Sequence, residues 1–278
     1  LYHRIFFEYG DDSVAQLGGV HLACEQASNL LTKVLEWGRL MSYLEQSTRY
    51  ISYDSRFGGR YRYYRDPEIM ESSFGARYIG DMDRIFDTYA HLVPQMQDFV
   101  REQFPKHPDD GDFVYRQAVK AKAFDALRGL LPAASLSNVG IYGTGQAYEA
   151  LLLRMRSHPL PESRYYADLM LRELRKVIPS FLERVDREDR GVVWSEYLQE
   201  TREDTADVVA ALFPEGSIVD PSPTVRLVDF DPEGEVKMIA SMMYPHSTMS
   251  EDQLERRVAG MNHEDRMAVA RAYVGDRR

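Results

Sequence analysis

The sequence contains little of what several classes of protein require. Its 278 residues include one cysteine, Cys24, so no disulfide can form within the chain. No stretch approaches the roughly 20 apolar residues of a membrane-spanning helix, and the mean hydropathy is −0.44. Basic residues are also scarce, because 34 Lys and Arg stand against 44 Asp and Glu, giving a formal net charge of −10. A disulfide scaffold and a membrane span are excluded, and broad nucleic-acid binding, which usually needs a basic face, is disfavoured.

The rest of the composition is that of an ordinary globular protein. Hydrophobic residues make up 44% and charged residues 28%, which is enough for a core. The length suits one large domain or two small ones. An unpaired cysteine and the lack of a signal-like segment favour a reducing, cytoplasmic setting. Because the chain begins at Leu1 rather than at a methionine, we expect it to be a piece of a longer protein.

Hydrophobic spacing predicts a mixed fold class, α+β or α/β, in which helices outweigh strands. A short strand is predicted at Val20–Cys24. Ser28 or Asn29 should cap the first helix. Pro94 is expected to kink or divide the helix predicted over residues 73–104. Helices are predicted over residues 30–41, 73–104, 115–130, 147–155 and 165–185.

The C-terminal part is predicted to contain strands and helices. A hairpin of residues 225–231 and 235–244 is predicted around Pro232-Glu233-Gly234. Ser250 and Gln253 have the spacing of a capping box, and Asn262 is a second helix cap. We therefore predict a first domain of residues 1–204 and an extension of residues 205–278 packed on the same domain.

Several familiar motifs are missing. The seven histidines show no HExxH pair and no spacing with Cys24 that would hold a metal ion. Residues 140–145, Gly-Ile-Tyr-Gly-Thr-Gly, lack the lysine of a phosphate-binding loop, so they are interpreted as a turn or a close approach of backbone. Residues 56–65 interleave arginine with tyrosine. That pattern can grip nucleic acid, but the acidic chain favours an edge hairpin turning at Gly58-Gly59.

The stretch Ser42 to Tyr50 carries the clearest chemical signal. It places a carboxylate (Glu45), hydroxyls (Ser42 and Ser47) and a guanidinium (Arg49) on a short segment that follows a predicted helix. Guanidinium groups bind phosphate through two parallel hydrogen bonds, and serine hydroxyls can complete such a cradle. The alternative is a solvated loop in which these groups pair with one another.

This stretch resembles the Ser-x-x-Glu-x-Ser-x-Arg-Tyr signature of the flavin-dependent thymidylate synthases, the ThyX family. The similarity extends back over residues 10–50. Arg128-Gly-Leu-Leu-Pro132 is similar to the family's Arg-x-x-Leu-Pro element. Residues 153–167, with Arg154, His158 and Glu162, resemble its Leu-Arg…His-Ala-Gln-x-Glu element. The three blocks occur in the family's order.

The resemblance implies a ThyX-like fold with a central sheet and long flanking helices, a homotetramer with sites between subunits, and reductive methylation of dUMP. FAD would be the cofactor, and NADPH and methylene-tetrahydrofolate the co-substrates. Arg154 matches the arginine beside the pyrimidine ring, where it stabilises developing negative charge, and is the implied catalytic residue. The implied dUMP contacts are Glu45, Ser47, Arg49, Arg128 and Arg154, and the implied FAD contacts are Ser13, Arg39 and Glu45. No metal is implied.

The departures from the family pattern concern the flavin more than the nucleotide. Its Arg-His-Arg signature stands here as Trp37-Gly38-Arg39, and its first-turn histidine as Asp11. Its Asn-x-Arg flavin element is replaced by Thr144-Gly145-Gln146, and a nucleotide-binding glutamine by Val34. Trp37 is interpreted as a core residue.

Three functions stay open on the sequence. The chain is part of a thymidylate synthase, a degenerate copy that partners a competent one, or a module with another nucleotide activity on the same scaffold. Each implied contact also has a structural alternative. Arg128 could pair with Asp125, Ser42 and Ser47 could form local turns, Arg154 could lie at an exposed helix end, and His158 could cap a helix.

Overall fold

The computed structural model describes residues 12–214 and 225–275. The chain divides into a first unit, Leu1–Pro214, and a second unit, Glu215–Arg278. The fold class is α+β, as predicted, with helices outweighing one small antiparallel sheet.

The sheet of the first unit has three strands in the order β1-β3-β2, both pairs antiparallel. Side chains alternate along β3, so that Val139 and Ile141 face the core while Asn138 and Tyr142 face outward. The glycine-rich stretch lies in β3 rather than in a turn. A Cβ at Gly143 would clash with the Met41 side chain, so the predicted close approach is present. The strands are β1 (Gly19–Ser28), β2 (Met41–Glu45) and β3 (Leu136–Thr144).

Helices surround the inner face of this sheet and build a second core beside it. Pro94 lies inside a single helix of 29 residues, so the predicted division there is wrong. The acidic residues Glu200–Asp207 lie within the last helix of the unit, which runs through residue 204 without a break. The helices of the first unit are α1 (Asn29–Leu35), α2 (Pro67–Glu71), α3 (Gly75–Gln103), α4 (Asp112–Leu127), α5 (Gly145–Arg156), α6 (Pro161–Leu174) and α7 (Val193–Leu212).

Two apolar clusters hold the first unit together. The first joins the inner face of the sheet to α1, α5 and α6, and it includes Leu31, Ile141 and Leu152. Cys24 belongs to it, as predicted, and burial raises the pKa of its thiol to about 12. The second cluster is rich in aromatic rings from residues 51–63, packed on Phe86 of α3 and Phe124 of α4.

The segment between α1 and β2 differs from prediction. Ser28 caps α1 as expected, its hydroxyl oxygen accepting from Leu31 N–H at 3.1 Å. The helix ends at Leu35 instead of Met41, because Trp37-Gly38 forms a turn that leads into β2. Trp37 consequently lies on this turn with 75% of its surface exposed, so its interpretation as a core residue is wrong.

The second unit is helical where a hairpin is predicted. Residues 225–231 are irregular, and a helix begins at Gly234. The apolar residues Val236, Ile239, Ala240 and Met243 recur at the helical spacing of i, i+3, i+4 and i+7, a period that outweighs the strand-like composition. The capping box at Ser250 and Gln253 and the cap at Asn262 are confirmed. The helices are α8 (Gly234–Met243), α9 (Glu251–Ala259) and α10 (His263–Val274).

Candidate functional site

The signature stretch begins as β2 and continues as a tight turn. Ser47 anchors this turn, since its hydroxyl oxygen accepts from Arg49 N–H at 3.3 Å and its carbonyl accepts from Tyr50 N–H at 3.1 Å. The local serine turn, one of the two interpretations from the sequence, is therefore present. It directs the Arg49 side chain toward the end of α4.

Arg49 and Arg128 meet at one carboxylate. Asp125 Oδ1 lies 2.9 Å from Arg49 Nε and 3.2 Å from Arg128 Nε, and all three side chains are about half exposed. The pairing of Arg128 with Asp125 that the sequence left open is present, and Arg49 joins it. Two guanidiniums against one carboxylate leave a net positive charge at the surface, which suits a phosphate group.

Arg154 lies near the end of α5, and two of its guanidinium nitrogens have no hydrogen-bond partner in the part of the chain that the structure describes. Its Nε and Nη2 atoms are shielded from solvent, and no described residue accepts from either. Burial lowers the pKa of this guanidinium, with the nearby Tyr43 acting in the opposite direction. Orphaned buried donors of this kind are rare in proteins and call for an explanation, such as an anion that binds there.

Tyr43 and Gly38 form the surroundings of Arg154. The Tyr43 hydroxyl donates to the Gly38 carbonyl at 2.8 Å. A Cβ at position 38 would lie only 2.8 Å from that hydroxyl and 3.7 Å from Arg154 Nη2. Tyr43 thus fills the space that a side chain at position 38 would need.

Glu45 lies on the same face of β2 as Tyr43. Residues two apart in a strand point the same way and are separated by about 7 Å. The Glu45 carboxylate accepts from Lys33 Nζ of α1 at 3.1 Å. Burial opposes the charged form of Lys33, but hydrogen bonds and charges from Glu45 and Glu36 outweigh it and raise its pKa. The face of β2 that carries Glu45 therefore also carries Tyr43, whose hydroxyl interacts electrostatically with Arg154.

A basic cluster surrounds His158 after α5. Burial lowers the pKa of its imidazole, and the charges of Arg202, Arg164 and Arg154 lower it further. His158 Nδ1 accepts from Leu160 N–H at 3.1 Å. The imidazole therefore stabilises the loop that leads to α6 and does not cap the end of α5. The neighbourhood of Arg154 is therefore positive, although the whole chain is acidic.

The residues implied for the flavin are less well assembled. Arg39 lies exposed on the turn before β2, and the Ser13 side chain and Asp11 lie outside the described residues. Gln146 pairs with Gln16, with 2.6 Å between Nε2 and Oε1. It lines a cavity of about 450 Å³ beside the half-exposed Trp194.

The arginine and tyrosine side chains of residues 53–65 pack against one another within the protein. Arg56, Arg62 and Arg65 lie over the rings of Tyr61, Tyr53 and Tyr63, with 4.6, 5.0 and 4.0 Å between guanidinium carbon and ring centroid. Phe57 pairs with Arg60 across Gly58 and Gly59, both at positive φ, which confirms the edge hairpin.

Two residues of the site were not singled out from the sequence, Lys33 and Tyr43. Tyr43 precedes Glu45 by two positions, so strand alternation would have placed it on the same face had β2 been recognised. Lys33 reaches Glu45 from another element, and no local pattern signals that contact.

Comparison with known proteins identifies the family of the chain. Residues 1–180 match the family model described as thymidylate synthase complementing protein. The chain belongs to this family. UPF0159 proteins are similar over most of the chain, at 38% identity in Chlamydia pneumoniae (100% of this chain, 52% of the relative) and 39% in Chlamydia muridarum (89% and 47%). The UPF0159 protein of Thermoplasma acidophilum is 30% identical (88% and 52%). The chain thus spans about half the length of these curated relatives.

The family match covers the site described above. It includes β2, the turn at Ser47, Arg128 and Arg154, and it ends before α7. Within residues 12–214 and 225–275, no group of His, Cys, Asp and Glu is placed to hold a metal ion. None of the helices in these ranges has both the length and the apolar character needed to cross a bilayer.

Proposed function

We propose that this chain carries the deoxyuridylate-binding part of a thymidylate synthase, in which C5 of dUMP receives a one-carbon unit from methylene-tetrahydrofolate. The observation that carries the proposal is Arg154, a cation whose Nε and Nη2 are buried, have no partner among residues 12–214 and 225–275, and lie in a positive neighbourhood. Attack by C5 places negative charge on the uracil ring, and a fixed guanidinium beside the ring stabilises it. Arg49 and Arg128 hold the phosphate in this proposal, and Glu45 and Ser47 orient the nucleotide.

The phosphate contact is tested by Arg49→Ala. We expect dUMP binding to weaken by about 1–3 kcal/mol, the value of a charge-assisted contact. Asp125→Asn is the companion variant, and we expect it to strengthen binding by up to about 1 kcal/mol, because exposed ion pairs are weak and the phosphate no longer competes with a carboxylate. Calorimetric titration measures both. Unchanged affinity in Arg49→Ala would remove this residue from the site.

The described residues fit a flavin only in part. Arg39 is an exposed guanidinium available to a pyrophosphate, but Glu45 is paired with Lys33 and Gln146 with Gln16. The flavin signature positions Trp37 and Gly38 offer no charge. We therefore derive no step through FAD on this chain, and expect the purified chain alone to lose FAD on desalting.

Restoring the signature tests the cause of that loss. In Trp37→Arg with Gly38→His alone, the Tyr43 side chain would have to shift, because the new Cβ would lie 2.8 Å from its hydroxyl. Adding Tyr43→Phe removes that oxygen, and we expect the triple variant to retain more flavin absorbance after desalting than the unmodified chain. If the folded triple variant retains no more flavin, loss of the signature is not what limits binding.

In the second candidate function, the chain is a degenerate copy of the thymidylate synthase domain that pairs with a competent domain. It is favoured by the altered flavin signature and by the chain spanning half of its curated relatives. The two functions are separated by dUMP-dependent oxidation of NADPH with added FAD and methylene-tetrahydrofolate. Turnover by the chain alone, or as a homo-oligomer, supports the enzyme. Nucleotide binding without turnover supports the degenerate copy.

A further inference from the structure

The last helix of the first unit, α7, takes no part in either apolar cluster of that unit. None of its residues is buried, and every residue from Gln199 to Leu212 is exposed. It is attached to the end of α5 where Arg202 Nη1 donates to the Ser157 carbonyl. The family match ends at residue 180, so α7 lies outside it and carries none of the proposed nucleotide contacts.

Apolar groups nonetheless follow one side of α7 along its whole length. Residues separated alternately by four and three positions form this stripe: Trp194, Leu198, Thr201, Thr205, Val208 and Leu212. Such residues share one face of a helix, and this spacing is that of the seam along which two helices pack. The stripe is about 27 Å long at the rise of an α-helix. At its far end Val208 and Leu212 are 58% and 66% exposed.

The two threonines of the stripe have their hydroxyls satisfied within the helix. Thr201 Oγ1 donates to the Tyr197 carbonyl at 2.9 Å, and Thr205 Oγ1 donates to the Thr201 carbonyl at 2.6 Å. A surface that covered these positions would therefore leave neither hydroxyl without a partner. The threonines thus continue the stripe between Leu198 and Val208.

The remaining charges of α7 make the helix unfavourable on its own. Carboxylates recur at a spacing of four residues in Glu196, Glu200 and Asp204, and again in Glu203 and Asp207. Like charges at this spacing repel one another. Helices of this length are marginal in water unless an apolar face is covered. A partner that covers the stripe and brings positive charge would relieve both costs.

The carboxylates line one edge of the stripe and not the other. Glu200, Asp204 and Asp207 each directly precede a residue of the stripe, so all three lie on the same side of it. The residues that directly follow the same stripe positions are Arg202, Ala206 and Val209. Arg202 is the only basic residue of α7. The two edges are therefore acidic and nearly neutral.

This distribution of charge favours a basic helix over a second copy of the chain or a lipid surface. In an antiparallel pair of identical helices like edges meet, so the acidic edge would face itself. In a parallel pair it would face the other edge, where Arg202 is already bonded to the Ser157 carbonyl. Helices that lie on anionic membranes carry lysine and arginine beside the apolar face, which α7 does not.

We propose that α7 is the docking surface for an amphipathic helix of a partner protein, with lysine or arginine along the edge that meets Glu200, Asp204 and Asp207. The apolar side chains of the partner helix pack against the stripe from Leu198 to Leu212. The proposal does not rest on the proposed function, because it uses none of the nucleotide contacts.

The probe is a synthetic peptide of about three heptads, with leucine at both seam positions and lysine at the flanking positions. One control peptide has glutamate in place of lysine, and a second has the composition of the probe in scrambled order. Binding of each labelled peptide to the full chain is followed by fluorescence anisotropy. We expect the probe to bind at least about tenfold more tightly than either control, and more weakly as salt is added. Equal binding of the probe and the scrambled peptide would overturn the proposal.

Hydrogen exchange followed by mass spectrometry locates the bound peptide. In the chain without peptide, we expect the amides of residues 203–212 to exchange rapidly, because no packing protects them, and those of α5 to exchange slowly. The probe should slow exchange in α7 and leave α5 unchanged. Slow exchange of α7 without peptide would show that another part of the chain or a second copy already covers the stripe, which would overturn the proposal.

Matched variants test the stripe. Val208→Asn places a carboxamide in the seam, and Ala210→Asn places the same side chain on the opposite side of the helix. We expect Val208→Asn to weaken binding of the probe about tenfold and Ala210→Asn to change it less than about twofold. Equal effects of the two variants would mean that the peptide does not pack on the stripe.

Matched variants of equal charge test the acidic edge. Glu200→Gln with Asp204→Asn removes two carboxylates from the edge, and Glu196→Gln with Glu203→Gln removes two from the side opposite the stripe. We expect the first pair to weaken binding of the probe about tenfold and the second pair to change it less than about threefold. The affinity for dUMP is measured on the same samples and should stay unchanged, so failure of this proposal and failure of the proposed function are distinguishable. Equal losses in the two pairs would remove the acidic edge from the docking surface and overturn the proposal.

Discussion

Arg154→Met is expected to have opposite effects on ligand binding and on stability. Removing the guanidinium should weaken dUMP binding by about 2–4 kcal/mol, because a desolvated charge contact is lost. The same change should raise the free energy of unfolding of the ligand-free protein by about 1 kcal/mol, since two buried donors without partners disappear. Calorimetric titration measures the first effect and urea denaturation the second.

Arg156→Met provides the control on the same helix. Arg156 Nη2 lies 2.7 Å from Asp168 Oδ1, so this guanidinium already has its partner. We expect the variant to bind dUMP like the unmodified chain and to lose a few tenths of a kcal/mol in stability. If Arg154→Met were destabilised and bound dUMP normally, Arg154 would be a structural residue and the proposed site would be wrong.

Ser28→Ala is expected to destabilise the first unit by about 3 kcal/mol. The Ser28 hydroxyl caps α1 and also donates to the carboxylate of Glu162, which is 1% exposed. The Ser28 backbone N–H donates to the same carboxylate at 2.9 Å. The estimate combines about 1 kcal/mol for a helix cap with about 2 kcal/mol for a hydrogen bond to a buried charge. Chemical denaturation measures it.

The loss in Ser28→Ala should depend on pH. Burial raises the pKa of Glu162, and the two hydrogen bonds from Ser28 oppose that rise. A carboxyl whose pKa is higher in the folded state holds more protons there, so stability falls as pH increases above about 4.3, the usual value of an unfolded glutamate. Removing the Ser28 hydroxyl should raise the folded pKa of Glu162 further and extend this fall in stability to higher pH.

Two variants check the origin of that effect. Ser163→Ala removes another buried hydroxyl, which donates to the Met155 carbonyl at 3.1 Å, and should cost about 1 kcal/mol at every pH. Ser28→Ala combined with Glu162→Gln should lose the added pH dependence. A pH profile of Ser28→Ala that is parallel to that of Ser163→Ala would show that Glu162 is not the titrating group.

The sequence predicted those parts of the fold that depend on local patterns. Apolar residues three and four apart identified the long helices, and the caps at Ser28, Ser250 and Asn262 were readable because a cap requires a particular side chain next to the helix. The hairpin at residues 225–244 was predicted wrongly, since β-branched and aromatic residues suggested strands where the spacing was helical. Pro94 was overestimated as a helix breaker, because packing of α3 on the aromatic core outweighs one lost hydrogen bond.

The candidate site depended mainly on resemblance to a family and only partly on physical pattern. Spacing alone left open whether Arg49 contacts a phosphate or pairs within a solvated loop. Its approach to Arg128 joins residues 79 positions apart and has no local signal. Trp37 was placed in the core because it is large and apolar, yet the early end of α1 leaves it on an exposed turn. The pairing of Glu45 with Lys33 depends likewise on how α1 packs against the sheet.

Because Cys24 is buried, its reaction with thiol reagents can be used to follow unfolding of the chain. Thiol reagents attack the thiolate, and a pKa of about 12 leaves almost none of it near neutral pH. The folded protein therefore does not react with a maleimide or a disulfide exchange reagent, whereas an unfolded molecule exposes an ordinary, reactive cysteine. The labelling rate of Cys24 in a native sample therefore measures how often molecules open their core. The measurement needs no introduced cysteine.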